Sequence, residues 1–474
     1  MIDKGQTYEM TIEDISHEGQ GIGRIDGLAV FVKDAIVGDE VKVEITKVKK
    51  SFAFARLVEI IKPSEYRVEP ACIYSKECGG CTLQAMSYEG QLNLKKKMVS
   101  DKLIRIGGIE NPKVNDTIGM DCPRRYRNKA QFPVDGDGII TKKGGIIANA
   151  GPVSIGFYKG KSHQVVNCEE CLIQAEPAEK IAEALRQFMD SDHITAYDRE
   201  TGKGLIRHLI VKTAFSTGEV MAILVINGKG IPNGEKLVYM MDDAVNELEP
   251  HPETGVEYSL ESVVVNINKK KTSEIMGGEF ITLAGKPTIL DQIGDFNIEI
   301  SPGSFYQVNP VQMVKLYDKA KEYAGLTGEE TVLDLYCGVG TIGLYLASGA
   351  KKVIGIESVK SAVIDANRNA VINGIINAEF IHGKAEEELP RLIEEGIKAD
   401  VVILDPPRAG CDPALLEAVA AAKPNKIVYV SCDPATLARD VKILRDQRYE
   451  FIEAQPVDMF PETVHVETVV LSGQ

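Results

Sequence analysis

From about residue 326 onward the sequence alternates short apolar runs with amphipathic segments, and this alternation limits the fold more than any other feature. The apolar runs predict strands and the amphipathic segments predict helices. The predicted strands are Thr331–Tyr336, Lys352–Ile356, Glu379–His382, Val401–Leu404 and Lys426–Val430, and the predicted helices are Ile342–Ala347, Ala362–Asn373, Ala385–Glu395, Pro413–Ala422 and Pro434–Leu444. Such an alternation predicts an α/β, doubly wound parallel sheet whose ligands bind at the carboxyl ends of the strands.

A thiol lies where the last of these strands meets its helix. In the stretch VSCDPATLARD, Cys432 directly follows the strand. Asp433 is typical of an N-cap and Pro434 of the first helical position. The positive end of the helix would then lower the pKa of the Cys432 thiol and favour its nucleophilic thiolate. We therefore predict that Cys432 is a nucleophile.

The turn after the first strand of this region carries a glycine motif with two interpretations. DLYCGVGTIG contains the spacing Gly338-x-Gly340-x-x-Gly343, which is formally a dinucleotide-binding pattern. Glu357 ends the next strand, where it could hold ribose hydroxyls. An NAD-dependent oxidoreductase is therefore one alternative.

Other residues favour S-adenosylmethionine over NAD. Asp334 lies four residues before the first glycine, Asp405 opens the stretch DPPRAG after a later strand, and Cys432 follows the next one. An acid before the glycine turn and another at the next strand end are common in enzymes that bind S-adenosylmethionine. Gly343 could instead only allow close helix packing, and Asp405 could only cap a helix.

The first sixty residues read as short alternating strands. We predict strands at Thr7–Ile12, Gly21–Ile25, Leu28–Val32, Glu40–Val48 and Phe52–Ile60. Asp26-Gly27 is a strong two-residue hairpin signal. Five strands of this size indicate a small barrel of the kind that binds oligonucleotides. Lysines at 42, 47, 49 and 50 could contact phosphates or only protect a sheet edge.

Cysteines form a second cluster. Cys72, Cys78 and Cys81 are spaced as C-x5-C-x2-C, and Cys168 or Cys171 could supply a fourth thiolate. Four thiolates suit zinc or an iron–sulfur cluster, and the spacing does not choose between them.

Basic residues lie near these cysteines, at Lys95–Lys97 and in the stretch PRRYRNKAQF, Pro123–Phe132. Cations interleaved with aromatic rings are suited to an RNA strand, because the cations contact phosphates and the rings stack on bases. Each cluster could equally be an ordinary solvated face.

Composition indicates a globular protein with ample core. The length of 474 residues predicts about three domains, which we place at residues 1–61, 62–290 and 291–474. No apolar run approaches the ~18 residues of a membrane span, and no signal peptide is apparent, so we expect a cytoplasmic protein without membrane contact. The net charge of −15 argues weakly against nucleic acid, but it allows a local basic surface.

Together these segments resemble the uracil-5 RNA methyltransferase family, and most of all its branch that modifies 23S ribosomal RNA. The matching motifs are SFYQVNP (Ser304–Pro310), DLYCGVGTIGL (Asp334–Leu344), LDPPRAG (Leu404–Gly410), VSCDPATLARD (Val430–Asp440) and HVETVVLS (His465–Ser472). The resemblance implies an OB-like TRAM barrel, a central α+β domain that holds a 4Fe-4S cluster and binds RNA, and a Rossmann-like class I methyltransferase domain.

The resemblance also implies roles for individual residues. S-adenosylmethionine would be bound by Gln307, Tyr336, Glu357 and Asp405, together with Asp334 and Gly338 of the glycine turn. Cys432 would be the nucleophile and Glu467 the proton acceptor. The cluster would be held by Cys72, Cys78, Cys81 and Cys171, the last because it lies eight positions after His163.

This chemistry gives the thiolate a target. Attack on C6 of uracil makes C5 nucleophilic enough to take the methyl group, and a base must then remove the C5 proton. We expect a monomer that methylates 23S ribosomal RNA. The alternatives are a methyltransferase that acts on tRNA and a non-catalytic RNA-binding or assembly protein.

Overall fold

The structure, a computed structural model, describes residues 2–142, 145–251 and 254–474. Its first part is a six-stranded sheet in the order β1-β5-β6-β4-β3-β2. The strands are β1 (Thr7–Thr11), β2 (Asp14–Ile15), β3 (Gly21–Ile25), β4 (Leu28–Val32), β5 (Glu40–Val48) and β6 (Phe52–Lys62). All five predicted strands are confirmed to within two residues at each end.

The sheet closes on itself because the chain after β1 reaches the opposite edge. The N–H of Glu13 donates to the carbonyl of Ile22 in β3 at 2.8 Å. Alternate residues of β5, namely Val41, Val43 and Ile45, are fully buried in the interior. This alternation is what a small barrel with one apolar and one solvated face requires, and the predicted barrel is confirmed.

The central part is a seven-stranded sheet in the order β11-β10-β7-β12-β13-β14-β15, with a separate β8-β9 hairpin. Its elements are α1 (Tyr88–Arg105), β7 (Lys129–Asp135), β8 (Ile139–Lys142), β9 (Gly145–Asn149), β10 (Ser154–Tyr158), β11 (Val165–Asn167), α2 (Glu176–Ser191), β12 (Ile206–Thr213), β13 (Glu219–Ile226), α3 (Gly234–Asn246), β14 (Ser259–Ile267) and β15 (Glu279–Gly285). Helices α2 and α3 cover one face, and the other face shares a core with the C-terminal part.

The C-terminal part begins with a hairpin and continues as an α/β sheet. Its elements are β16 (Ile289–Ile293), β17 (Phe296–Ile300), α4 (Pro310–Ala324), β18 (Thr331–Leu335), α5 (Thr341–Ala347), β19 (Lys352–Glu357), α6 (Lys360–Ile372), β20 (Ala378–His382), α7 (Ala385–Glu394), β21 (Val401–Leu404), α8 (Pro413–Ala421), β22 (Lys426–Ser431), α9 (Pro434–Asp446), β23 (Glu450–Val457) and β24 (Glu467–Gly473). Every predicted strand and helix of this region is present, with ends shifted by at most two residues. The domain boundaries at 61/62 and 290/291 stay a prediction.

The sheet order is β20-β19-β18-β21-β22-β24-β23. Strands β18 to β22 are parallel, whereas β24 runs antiparallel between β22 and β23. The predicted wholly parallel sheet is therefore corrected at one edge. This insertion matters for the site, because it brings the beginning of β24 to the carboxyl end of β22. Among the described residues, no helix is both long and apolar enough to cross a membrane.

Candidate active site and cysteine cavity

Cys432 and Glu467 lie at the same end of two neighbouring antiparallel strands. Ser431, the last residue of β22, is opposite Thr468 in β24. Cys432 is the first residue after β22, and Glu467 is the first residue of β24. The Glu467 carboxylate is near enough to raise the pKa of the Cys432 thiol. The two predicted catalytic residues, 35 positions apart in sequence, are thus brought together.

The prediction of a lowered thiol pKa at Cys432 is wrong for the protein without substrate. Burial raises the pKa of Cys432 to about 11, and the carboxylates of Glu467 and Asp405 act in the same direction. The helix N-terminus does not compensate, because Asp433 already caps it. The Asp433 carboxylate accepts from the N–H groups of Ala435 at 2.8 Å and Thr436 at 3.0 Å. The amides expected to stabilise a thiolate therefore already have an anionic partner.

Glu467 is a nearly buried carboxyl group, 5% exposed. Burial and the neighbouring Asp405 raise its pKa to about 8. No described residue donates a hydrogen bond to this carboxyl group. A poised carboxyl group of this kind, with free acceptor oxygens beside a thiol, has the properties of a general base that meets its proton only when substrate binds.

Two aspartates lie beneath the same edge of the sheet. Burial raises the pKa of Asp405, at the end of β21, to about 7. Asp334 in β18 is completely buried, and burial together with Asp405 raises its pKa to about 7. One Asp334 oxygen accepts from the N–H of Gly343 at 2.9 Å, and the other is buried without a partner. Asp334 therefore holds the start of α5 from below.

The glycine turn is built around two constraints. Gly340 has a φ of +80°, and a Cβ atom there would lie 2.7 Å from the Phe380 ring. Glu357 ties this turn to the next strand, because its carboxylate accepts from the N–H of Gly338 at 3.1 Å and of Val359 at 2.7 Å. Glu357 therefore fixes the turn.

A cavity of about 480 Å³ opens at the carboxyl ends of β18 to β21. Tyr336 lines it, and so do Ser358 and Gly383, each of which directly follows a strand. This volume is in the range of small-molecule sites. The cavity lies where a doubly wound sheet binds its ligand.

Gln307 lies on the loop between β17 and α4, and that loop is held by the central sheet. Asn128 donates through its side chain to the Gln307 carbonyl at 3.0 Å, and its own N–H donates to Val308 at 2.9 Å. Lys212 of β12 donates to the carbonyls of Ser301 at 2.8 Å and Ser304 at 2.9 Å. The conformation of the loop that carries Gln307 therefore depends on hydrogen bonds from the central part of the chain.

Comparison with known proteins identifies this architecture. The model of the tRNA (uracil-5-)-methyltransferase family matches residues 288–474, and that of the TRAM domain matches residues 3–58. A protein of Caldanaerobacter subterraneus subsp. tengcongensis named an uncharacterized RNA methyltransferase is 49% identical over 468 residues, which cover 98% of each chain. The chain belongs to the uracil-5 RNA methyltransferase family.

Two further comparisons agree with this assignment. An uncharacterized RNA methyltransferase of Clostridium acetobutylicum is 46% identical over 99% of this chain and 97% of its own. The crystal structure of the Pyrococcus abyssi tRNA (uracil-54, C5)-methyltransferase in complex with S-adenosyl-L-homocysteine is 29% identical, with a TM-score of 0.74, and the match covers 98% of this chain and 100% of that chain. The methyltransferase uses S-adenosylmethionine and acts on RNA, so the NAD and non-catalytic alternatives are set aside.

Arg408 is a site residue that the sequence analysis missed. It lies four residues after β21 and is exposed. Its guanidinium lowers the pKa of both the Cys432 thiol and the Glu467 carboxyl group, against the larger effect of burial. It is the cation that opposes the acidic surroundings of the thiol in this uracil-5 methyltransferase. The motif LDPPRAG contained the signal, but only its aspartate had been given a role.

Five cysteines of the methyltransferase line one small cavity, namely Cys72, Cys78, Cys81, Cys168 and Cys171. The fold thus places Cys168 and Cys171 beside the three cysteines that are clustered in sequence. Burial raises the pKa of the thiols of Cys72, Cys78 and Cys81, whereas a hydrogen bond from Cys168 lowers the pKa of Cys171. Within residues 2–142, 145–251 and 254–474 no set of side chains is arranged as a metal site. The metal therefore stays a prediction, as does the preference for Cys171 over Cys168.

The loop after Cys81 touches the segment that leads into β24. The N–H groups of Thr82 and Leu83 donate to the carbonyl of Glu462 at 2.8 Å and 3.0 Å. Glu467 follows five residues later. The cysteine cavity and the candidate base of the methyltransferase are therefore connected by a short stretch of hydrogen-bonded backbone.

Several of the basic residues expected to bind RNA pair with acidic side chains of the protein. Lys95 is fully buried and pairs with Asp458 at 2.5 Å. Lys96 and Lys97 are partly exposed and pair with aspartates, and Arg125 pairs with Glu170, Glu176 and Glu179. The aromatic residues of that stretch, Tyr126 and Phe132, are buried. The interpretation as an RNA surface is therefore wrong for Lys95, Tyr126 and Phe132, and for the other residues of the two clusters it stays a prediction.

Proposed function

We propose that this enzyme methylates C5 of a specific uridine in 23S ribosomal RNA through a covalent bond between Cys432 and uracil C6. The observation that carries the proposal is the proximity of Cys432 and Glu467 at one end of the neighbouring strands β22 and β24. The nucleophile and the base must act on neighbouring ring atoms, C6 and C5. Two side chains on adjacent strands, side by side at one end of the sheet, meet that requirement.

The first step belongs to Cys432. Its thiol gives its proton to solvent, and the sulfur attacks C6. As the C–S bond forms, the C5–C6 double bond opens to an enolate whose C5 is nucleophilic. The pKa of about 11 means that little thiolate exists before the RNA binds. The Arg408 guanidinium lowers this pKa, so it assists the deprotonation without touching the ring.

The cofactor supplies an electrophilic methyl group when it is bound. Tyr336, which lines the cavity at the carboxyl ends of the strands, and Glu357, which is bonded to the glycine turn and directly precedes the lining residue Ser358, would help to hold it. Gln307 and Asp405 would complete the site on the side of the thiol. Asp334 and Gly338 would shape the turn beneath the ligand.

Glu467 acts last. After C5 has taken the methyl group, the carboxylate removes the C5 proton, the C5–C6 double bond reforms and the sulfur leaves as thiolate. The pKa of about 8 matches this task, since a base works best with a pKa near the operating pH. Because Glu467 is buried and Cys432 is half-buried, a stacked uridine must first turn out of its helix to reach them.

We further propose that Cys72, Cys78, Cys81 and Cys171 hold a 4Fe-4S cluster. The donors fit the group, because four thiolates are the usual ligands of such a cluster and these cysteines line one cavity. The cluster would join the loop of residues 72–81 to the segment at 171 as a structural link.

The test of the cluster is its composition. Anaerobically purified protein should contain about four iron and four sulfide per chain, and stoichiometric zinc without sulfide would contradict the proposal. Cys171→Ser should lose the iron, whereas Cys168→Ser, the matched control in the same cavity, should keep it.

The choice of 23S ribosomal RNA is supported by the TRAM barrel together with the cysteine cluster. A tRNA substrate is the second candidate, because the Pyrococcus abyssi relative is named for uridine 54 of tRNA. Mapping of 5-methyluridine by mass spectrometry in 23S ribosomal RNA and tRNA, from cells with and without the gene, decides between them. Loss of the mark from tRNA alone would contradict the ribosomal assignment.

A further inference from the structure

A separate group of cations lies at the end of the central sheet that is opposite Lys212. They are in the turn before β12 and in the loop between β14 and β15. We call this group the central basic surface and define it as Arg199, Lys203, Lys269, Lys270 and Lys271, all of which are exposed. It was not among the basic clusters recognised in the sequence.

Two hydrogen-bonded contacts hold these loops together. Arg207 in β12 donates to the carbonyls of Asn268 and Lys270, each at 2.8 Å. Lys271 donates to the carbonyl of Glu200 in the neighbouring turn at 3.3 Å. The cations are therefore presented from a fixed backbone rather than from two independent loops.

The cations of this surface are not neutralised by the protein. In the part of the chain that the structure describes, none of the five lies within 4 Å of a carboxylate, whereas Lys95, Lys96, Lys97 and Arg125 all do. The neighbouring Asp198 accepts from the N–H of Glu200 at 2.8 Å, and Lys271 is near enough to lower the pKa of this carboxyl group without forming an ion pair with it.

The surface extends towards the cysteine loop. The Arg199 guanidinium lies 5.2 Å from the centre of the Tyr158 ring and 3.1 Å from Nδ1 of the exposed His163. The carbonyl of Tyr158 in turn accepts from the N–H of Gly79 at 2.9 Å. The surface therefore adjoins the loop of residues 78–83, whose far end contacts the segment leading to Glu467.

We propose that the central basic surface binds the phosphates of the RNA strand that flanks the target uridine. Unpaired cations release counterions from a polyanion when they bind it, and paired ones do not, which favours RNA over an uncharged partner. Arg207 and Lys212 are five residues apart on β12, which is about 17 Å, and Lys212 contacts the loop that carries Gln307. The surface therefore contacts RNA outside the pocket, and the inference rests on the proposed function.

The test replaces Lys269, Lys270 and Lys271 with Gln in the full-length protein. The probe is an unmodified transcript of 23S ribosomal RNA. The variant should raise the KM for this RNA roughly tenfold at low salt with little change in kcat. It should also make the slope of log K against log salt shallower by about 2, since each lost phosphate contact on a single strand removes about 0.7.

Two further variants make the result decisive. Replacement of the three lysines by Arg keeps the charge and should restore the wild-type slope. Replacement of Lys351, Lys423 and Lys442 by Gln removes the same charge from exposed positions of the methyltransferase part and should leave the slope unchanged. If the Gln variant of the surface has the same slope as this control, the proposed RNA contact is wrong. It is also wrong if the Arg variant does not restore the wild-type slope. A wild type that does not methylate the RNA would instead overturn the proposed function.

Discussion

Replacement of Asp334 by Asn should make the stability of the protein less sensitive to pH. Asp334 is fully buried beneath the glycine turn, and its pKa is raised from 3.8 to about 7, mainly by burial. A raised carboxyl pKa means that the folded protein holds this proton more tightly than the unfolded chain does. The stabilisation is therefore fully present below pH 3.8 and is lost as the pH rises towards 7.

The size of the effect follows from the shift. A pKa difference of about 3 units corresponds to roughly 4 kcal/mol at 1.36 kcal/mol per unit. About half of that loss is complete by pH 5.5, so roughly 2 kcal/mol remains to be lost between pH 5.5 and pH 9. Asn cannot ionise, yet its side-chain oxygen can still accept from the N–H of Gly343.

The assay is urea unfolding followed by circular dichroism, because the chain contains no tryptophan. The free energy of unfolding of Asp334→Asn minus that of the wild type should be about 2 kcal/mol larger at pH 9 than at pH 5.5. The variant therefore gains stability relative to the wild type as the pH rises. Leu416→Ala removes most of a buried side chain in helix α8 and adds no ionisable group. It should lower the free energy of unfolding by the same amount at both pH values. An Asp334→Asn difference that does not depend on pH would refute the reasoning.

Three other outcomes follow from the same structure. Lys95→Met leaves the buried Asp458 carboxylate without its cation and should lower the free energy of unfolding by about 3–5 kcal/mol. The double variant with Asp458→Leu should regain much of this stability. A single variant as stable as the wild type would contradict the prediction. The kcat/KM for RNA should rise with pH up to about 8 and, less steeply, beyond it, because Glu467 and Cys432 must both lose protons; a profile falling above pH 7 would count against these roles. Arg408→Met should shift that profile to higher pH, and an unchanged profile would mean that the guanidinium does not act on the thiol.

Much of the fold could be predicted because it depends on local patterns. The alternation of apolar runs and the hairpin at Asp26-Gly27 placed the barrel strands and those of the parallel sheet. The hairpin of β16 and β17 and the helix α4 were not predicted, although Gly294-Asp295 is a two-residue hairpin signal and Asn309-Pro310 is a helix start signal. The antiparallel insertion of β24 could not be derived, because a strand order depends on long-range packing.

The candidate site could be predicted as a set of residues but not as an electrostatic environment. Motifs identified Cys432 and Glu467, yet the pKa of the thiol depends on its burial and on the Glu467 carboxylate, which the fold brings close to it. The same limit explains the basic clusters. Lys95 reads as a surface cation until its partner, Asp458, is brought to it from 363 positions away. An ion pair between residues so far apart in sequence cannot be recognised from the local composition.

The covalent mechanism is tested most directly with a variant that stops the reaction after the bond to Cys432 has formed. Glu467→Gln keeps the size and polarity of the side chain but removes the base, so the C5 proton cannot leave and the bond to Cys432 cannot break. Incubated with substrate RNA and S-adenosylmethionine carrying a labelled methyl group, this variant should accumulate a protein–RNA adduct that survives denaturing electrophoresis and contains the label. Cys432→Ala should bind RNA and give neither adduct nor product. Normal turnover by Glu467→Gln would show that another group is the base, and normal methylation by Cys432→Ala would contradict the covalent mechanism itself.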